Sequence, residues 1–358
     1  MLLLGVMVSC TILPLYRAYD LNKTKIRYDK KVLTFYYPWW GNTTDYTNAS
    51  LGIEDPFGWT AWNSGYENPT IDNNPSKDTP LYGLYDCSDP DLITYHFDLA
   101  EQAMIDAFIC SWWGIGSNTD VNLRNILKMA ENTSTPLEFC IYYETIKFAS
   151  TSYSVTEKIE IITEEVKYVL ENYGDNPYYF KVDGKPVIFF YACANFAPET
   201  WKKISTSIKA EYNCFLIAET PSLPEIQTEY LSCFDGVHIY NPTYIIDQQR
   251  LLSMDKSTLG DVGTTYQAMI QVAHGYGKLC ALPTIPGYDD RIIREPGIEI
   301  NRNGGDTYDY LWEKCMDADW VLITSFNEWF EGTEIEPSEE YQDYYMNRTR
   351  DWALEFKT

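Results

Sequence analysis

Continuous apolar runs, rich in β-branched and aromatic residues, recur along the chain with the character of strands buried on both faces. Eight are found: VLTFYYPW (Val32–Trp39), AFICSWWG (Ala107–Gly114), LEFCIYYE (Leu137–Glu144), PVIFFYAC (Pro186–Cys193), CFLIAET (Cys214–Thr220), GVHIYNP (Gly236–Pro242), LCALPTIPG (Leu279–Gly287) and WVLITSFNEW (Trp320–Trp329). Between them lie segments with helical spacing and charged faces, among them Asp89–Ile105, Thr156–Gly174 and Gly305–Ala318. Asp89 with Pro90 after it has the chemistry of an N-cap followed by proline at the first helical position, and Gly174 suits a C-cap. Successive parallel strands need helical crossovers of this kind. Eight such units predict an α/β chain folded as a single (β/α)8 TIM barrel with long βα loops at its C-terminal face.

No linker, low-complexity stretch or internal repeat divides the chain. The longest irregular stretch, Gly41–Ser88, carries Trp59, Trp62, Tyr66, Tyr82 and Tyr85. It follows the first strand and is expected over the mouth of the barrel, where insertions of this length are usually functional. The first twenty residues, MLLLGVMVSCTILPLYRAYD, read as a signal peptide or short anchor, which leaves 21–358 as the barrel. Sequons at Asn22, Asn42, Asn48, Asn132 and Asn347 permit glycosylation. The expected location is therefore secreted or membrane-anchored, facing an extracytoplasmic compartment, with a cytoplasmic location as the alternative.

Composition narrows the ligand. Thirty Tyr and eleven Trp exceed what packing needs, and they suggest a cleft lined with rings. A formal net charge of −25 opposes nucleic acid and anionic membranes, and suits a neutral partner. The nine cysteines show no paired metal spacing, so neither a metal nor a disulfide framework is expected. No cofactor and no obligatory protein partner are called for.

Polar and aromatic residues gather where the runs stop, at YYPWWGN, SWWG, YYET, HIYNP, PGYDD and SFNEWFEG. In a barrel these ends meet at one mouth. Glu328 closing the eighth run and Glu331 in the following turn can both face it, and two carboxylates flanking a glycosidic bond can divide the work of hydrolysis. A short separation favours retention of configuration, and aromatic surroundings would raise one pKa. Because neighbours on a strand point to opposite sides, one of Trp39 and Trp40, and one of Trp112 and Trp113, should face the mouth. Tyr240 and Tyr288 are placed to bind sugar hydroxyls.

The blocks FYYPWWGN, DPDLITYHFDLAEQAMIDAFICSWWG, NPYYFKVDGKPVIFFY, FDGVHIYNP, PGYDDRIIR and SFNEWFEGTEIEPS, in order from about residue 31 to 338, together resemble glycoside hydrolase family 99, the endo-acting α-mannosidases and α-mannanases. The resemblance implies a metal-independent, retaining endo-glycosidase that cleaves inside an α-mannose-containing oligosaccharide or polysaccharide, through a 1,2-anhydro sugar. It implies Glu328 as the base that draws the proton from the 2-hydroxyl, and Glu331 as the acid that protonates the leaving oxygen. The substrate contacts it implies are Tyr36 or Tyr37, Trp112 or Trp113, Tyr240, Asp290 and Arg294, and Trp39, Glu144, Tyr288, Asn327 and Trp329 join them as candidates from the strand ends and their motifs. The chain departs from the family pattern at Phe330, where a His is common, and at YYET closing the third run. Two other readings stay open: a family-99-like domain in surface polysaccharide biosynthesis or processing, and a non-catalytic glycan-binding protein.

Overall fold

The computed structural model describes residues 28–56, 61–62, 74, 76–220, 229–250 and 260–358. The expected leader 1–20, the sequon Asn22, and Trp59 and Tyr66 of the insertion lie outside them. All eight expected strands are present, and each is shorter than its apolar run: β1 Lys31–Tyr36, β2 Ala107–Trp112, β3 Glu138–Glu144, β4 Lys185–Tyr191, β5 Phe215–Glu219, β6 Gly236–His238, β7 Leu279–Thr284 and β8 Trp320–Ile323. Each pairs in parallel with the next in sequence, and β8 returns to β1 with Val32 opposite Val321. Closure leaves the barrel sheet without a free edge.

Helices fill the crossovers: α1 Pro90–Gln102, α2 Asn118–Thr133, α3 Val155–Asn172, α4 Pro198–Glu211, α5 Thr243–Arg250, α6 Gly260–Gly275, α7 Asp306–Cys315 and α8 Tyr344–Lys357. Asp89 caps α1 through the N–H of Asp91, with Pro90 in the first turn. At the other end of α3 the cap is Tyr173. Gly174 lies one residue beyond, and its N–H donates to the carbonyls of Val169 and Leu170. A Cβ there would stand 2.5 Å from the Leu170 carbonyl oxygen, which accounts for the glycine.

Aromatic rings meet across the barrel interior. Phe35 of β1 lies 5.8 Å from the His238 ring of β6, and Phe189 of β4 lies 6.2 Å from Trp320 of β8. These strands are not neighbours, so the contacts cross the interior. Phe35, Tyr142, His238 and Tyr240 form the layer nearest the C-terminal mouth. The eight described cysteines are buried with free thiols. Among the described residues no helix is long and apolar enough to cross a membrane.

Candidate active site

After β8 the chain makes a closed turn. Ser325 Oγ accepts the N–H of Glu328 at 2.7 Å and touches Thr333 Oγ1 at 2.8 Å, while the Ser325 N–H donates to the Thr333 carbonyl at 2.8 Å. Gly332, at φ +58°, takes the left-handed conformation that the return requires. Its carbonyl, and that of Glu334, accept from the buried guanidinium of Arg302 at 3.2 and 3.0 Å. The turn is thus braced on both sides.

Glu331 stands among donors. Tyr240 donates to its Oε2 at 3.1 Å, Arg294 Nη1 donates to Oε1 at 3.1 Å, and the Tyr288 hydroxyl is 3.3 Å from Oε1. Tyr37 in turn donates to Tyr240 at 2.6 Å. Glu328 has less help: its Oε1 accepts the backbone N–H of Phe330 at 3.1 Å. Burial pushes the Glu328 carboxyl well above the usual carboxylate range, and the nearby Glu331 charge pushes it further. Burial raises Glu331 too, but Arg294, Tyr240 and Tyr288 oppose the rise. Of the two carboxyls, Glu328 is the more strongly raised.

A second group of acids lies toward β3 and β5. Glu144 is buried and accepts from Ser111 Oγ at 2.7 Å. Burial pushes it up to about 8 and Glu219, closing β5, to about 7. Trp113 is 37% exposed, donates its indole N–H to Ser111 Oγ at 3.1 Å, and stands 6.4 Å from Trp39. Trp39 and Trp113 are accordingly the two members of their pairs that wall the mouth.

Five other expected contacts are buried and have their polar atoms bonded to protein partners. Tyr36 turns outward, bonds His96 Nδ1 of α1 at 3.0 Å and stacks on Phe108. Trp112 likewise faces α2 and donates to Asp120 at 2.9 Å. Asn327 accepts the Tyr37 N–H at 2.7 Å and donates back to its carbonyl at 3.2 Å. Trp329 packs with Trp40, Trp62 and Tyr85 in a separate cluster under the turn and donates to the Tyr85 hydroxyl at 2.9 Å. Asp290 accepts from Arg294 at 2.6 Å and from the Ile298 N–H at 2.6 Å, and its Oδ2 lies 3.0 Å from the Tyr288 hydroxyl, whose one proton it shares with Glu331, so it orients Arg294 and Tyr288. The structure brings Tyr37, Trp39, Trp113, Glu144, Tyr240, Tyr288 and Arg294 to the mouth with Glu328 and Glu331. Described parts of the insertion do not simply cover it; Trp62 and Tyr85 pack against Trp329 of the turn after β8. Sequence reasoning gave no individual role to Ser111, Glu219, Tyr85 or Glu336, although Ser111 opens the strand-end block SWWG, Tyr85 is among the rings of the insertion, Glu219 lies at the end of an apolar run and Glu336 is five residues past Glu331. No group of described residues is arranged to hold a metal ion.

Paired acids at a barrel's C-terminal mouth, with Tyr and Arg donors on one carboxyl and tryptophans at the rim, define a carbohydrate-cleaving enzyme of the glycoside hydrolase class. The sequence model of glycosyl hydrolase family 99 matches residues 27–358, and the chain belongs to that family. Among curated relatives, it is 25% identical to the glycoprotein endo-alpha-1,2-mannosidase of Rattus norvegicus, covering 91% of this chain and 74% of the relative. It is also 25% identical to the glycoprotein endo-alpha-1,2-mannosidase-like protein of Mus musculus, over 90% of this chain and 75% of the relative. The GH99 endo-alpha-mannosidase of Bacteroides thetaiotaomicron superposes with a TM-score of 0.70 at 24% identity, covering 91% of this chain and 97% of that one, and shares the fold.

Proposed function

We propose that the chain is a retaining endo-α-mannosidase that cleaves internal α-mannosidic linkages of an oligosaccharide or polysaccharide. The observation that carries this is the placement of Glu328 and Glu331 on one turn at the mouth, where the Glu331 charge raises Glu328 and Tyr240, Tyr288 and Arg294 stand within hydrogen-bond distance of Glu331. Family membership and the activities named for the relatives support it.

In this reading Glu328 takes the proton from the sugar's 2-hydroxyl as O2 attacks the anomeric carbon. Glu331 protonates the departing oxygen, and a 1,2-anhydro sugar forms. Glu331 then takes a proton from water as the water opens the ring at the anomeric carbon, and Glu328 returns its proton to O2. The first step needs the proton on Glu331, the less strongly raised of the two carboxyls. Substrate promotes this placement: a 2-hydroxyl donating to Glu328 favours its charged form, and a glycosidic oxygen accepting from Glu331 favours its neutral form. Tyr37 and Tyr240, pushed up by burial and the nearby carboxyls, stay protonated and keep donating.

Hydrolysis of a panel of α-mannosides, with Glu328→Gln and Glu331→Gln beside wild type, tests the reading. Internal cleavage by wild type, lost on its natural leaving groups in both variants, is expected. Retention of glycans without cleavage by wild type would make the protein a binder instead. The reading also places the enzyme outside the cytoplasm, on the strength of the apolar start and the sequons.

A further inference from the structure

Beneath the catalytic turn lies a buried hydrogen-bond network that the reaction itself does not use. Its junction is the hydroxyl of Tyr85, from the insertion after β1. The Trp329 indole can only donate, and it does so to this oxygen at 2.9 Å. Asn327 Oδ1 accepts the Tyr37 N–H, which fixes the amide, so Asn327 Nδ2 is the second donor to the Tyr85 oxygen, at 3.3 Å. Both lone pairs are then filled. The Tyr85 proton must go to Glu336 Oε2, at 2.7 Å. The other oxygen of Glu336 faces His96 Nε2 at 3.1 Å, with 1% of the His96 side chain and none of the Glu336 side chain exposed. A proton on Nε2 satisfies that oxygen and leaves Nδ1 to accept from Tyr36 at 3.0 Å.

Asn327 and Trp329 are the residues immediately before and after Glu328. Their side chains point down into the network while Glu328 points to the mouth, so a single hydroxyl holds the side chains on both sides of one catalytic acid. Trp40 adds a third hold by donating to the Asn327 carbonyl at 3.0 Å.

We propose that Tyr85, oriented by Glu336 and His96, is a positioning residue whose hydroxyl sets the reach of the Glu328 carboxyl toward the sugar. The proposal rests on the assignment of Glu328 to catalysis. A displacement of about 1 Å in a reacting group costs on the order of a hundredfold in rate. Tyr85→Phe removes one oxygen and leaves the ring in place.

The test measures kcat, KM and Tm for wild type, Tyr85→Phe, Trp329→Phe, the double variant and Glu328→Gln on one cleaved α-mannoside. Tyr85→Phe is expected to lower kcat by about 10- to 100-fold with KM within about twofold. Trp329→Phe, which keeps the bond from Tyr85 to Glu336, moves kcat the same way and serves alone if Tyr85→Phe fails to fold. The double variant loses less than the product of the two single factors, since both act through one hydroxyl. A wild-type kcat in folded Tyr85→Phe, whatever its Tm, overturns the proposal, as does a strictly multiplicative double variant. If Glu328→Gln is dead while Tyr85→Phe is unaffected, only the positioning role falls. A wild type that cleaves nothing removes the catalytic reading and this proposal together.

Discussion

Replacing Arg294 with Met keeps a long side chain and removes its charge from Glu331. Arg294 Nη1 lies 3.1 Å from Glu331 Oε1. At that distance two unit charges attract by about 5 kcal/mol for an effective dielectric of about 20. The Arg294 side chain is 49% exposed and also holds Asp290 at 2.6 Å. Screening and sharing reduce the loss to about 1–2 kcal/mol, or about one pH unit. The sign follows from which form the cation favours. The guanidinium stabilises ionised Glu331, so without it burial acts with less opposition and the pKa of Glu331 rises. The carboxyl pair then keeps both protons to higher pH. In a profile of kcat/KM against pH at constant ionic strength, the acid limb should move up by about one unit, with the alkaline limb moving less. An acid limb that stays in place, or moves to lower pH, in a variant that still turns over would refute the coupling. A uniform fall at every pH would leave Arg294 a role in binding alone.

Three further outcomes are expected. On a glycosyl fluoride, whose leaving group needs no protonation, Glu331→Gln should release fluoride in a first turnover that Glu328→Gln lacks, and the opposite pattern would exchange the two roles. Glu144 carries a folded-state pKa of about 8 through burial, above its unfolded value, so the stability it contributes is present at low pH and lost as pH rises to about 8, by as much as about 5 kcal/mol. Glu144→Gln escapes that loss, and calorimetry should show a larger gain in Tm at about pH 8.5 than at about pH 5; equal gains would count against the buried carboxyl. Trp113→Ala, at the exposed rim, should raise KM about tenfold with kcat within about threefold, and an unchanged KM would remove Trp113 from the substrate path.

The barrel was legible because strands buried on both faces leave unbroken apolar runs, and the eight runs became the eight strands. Their ends were overread, since VLTFYYPW continues apolar for three residues after β1 stops at Tyr36. There the rings change role from core to wall without any change in hydrophobicity. The acids of SFNEWFEG were found by their place at a strand end, but their neighbours were not separable from them. Asn327 and Trp329 sit in the same motif as Glu328, and only backbone direction shows that they point the other way. The same ambiguity covered Tyr36 against Tyr37 and Trp112 against Trp113; alternation requires a split, and register is needed to say which member is inside. Tyr85 was hidden for another reason: its partners Asn327, Trp329 and Glu336 are more than 240 residues away, a contact no local pattern records.

The electrostatics of the mouth separate an enzyme from a glycan binder. Burial pushes four carboxyls upward at this opening, Glu144, Glu219, Glu328 and Glu331, and Arg294 is the cation bonded to Glu331. Neutral sugars can be held by amides, hydroxyls and rings, none of which carries a desolvation penalty of this kind. Gathering acids where they resist ionisation destabilises the fold above neutral pH and gives a passive binder no compensating contact. It does give a hydrolase proton donors and acceptors near neutrality, with Arg294 and the tyrosines setting Glu331 apart from Glu328. A binder reading therefore has to explain why four carboxyls rather than neutral amides stand at this opening, whereas the proposed hydrolysis uses two of them.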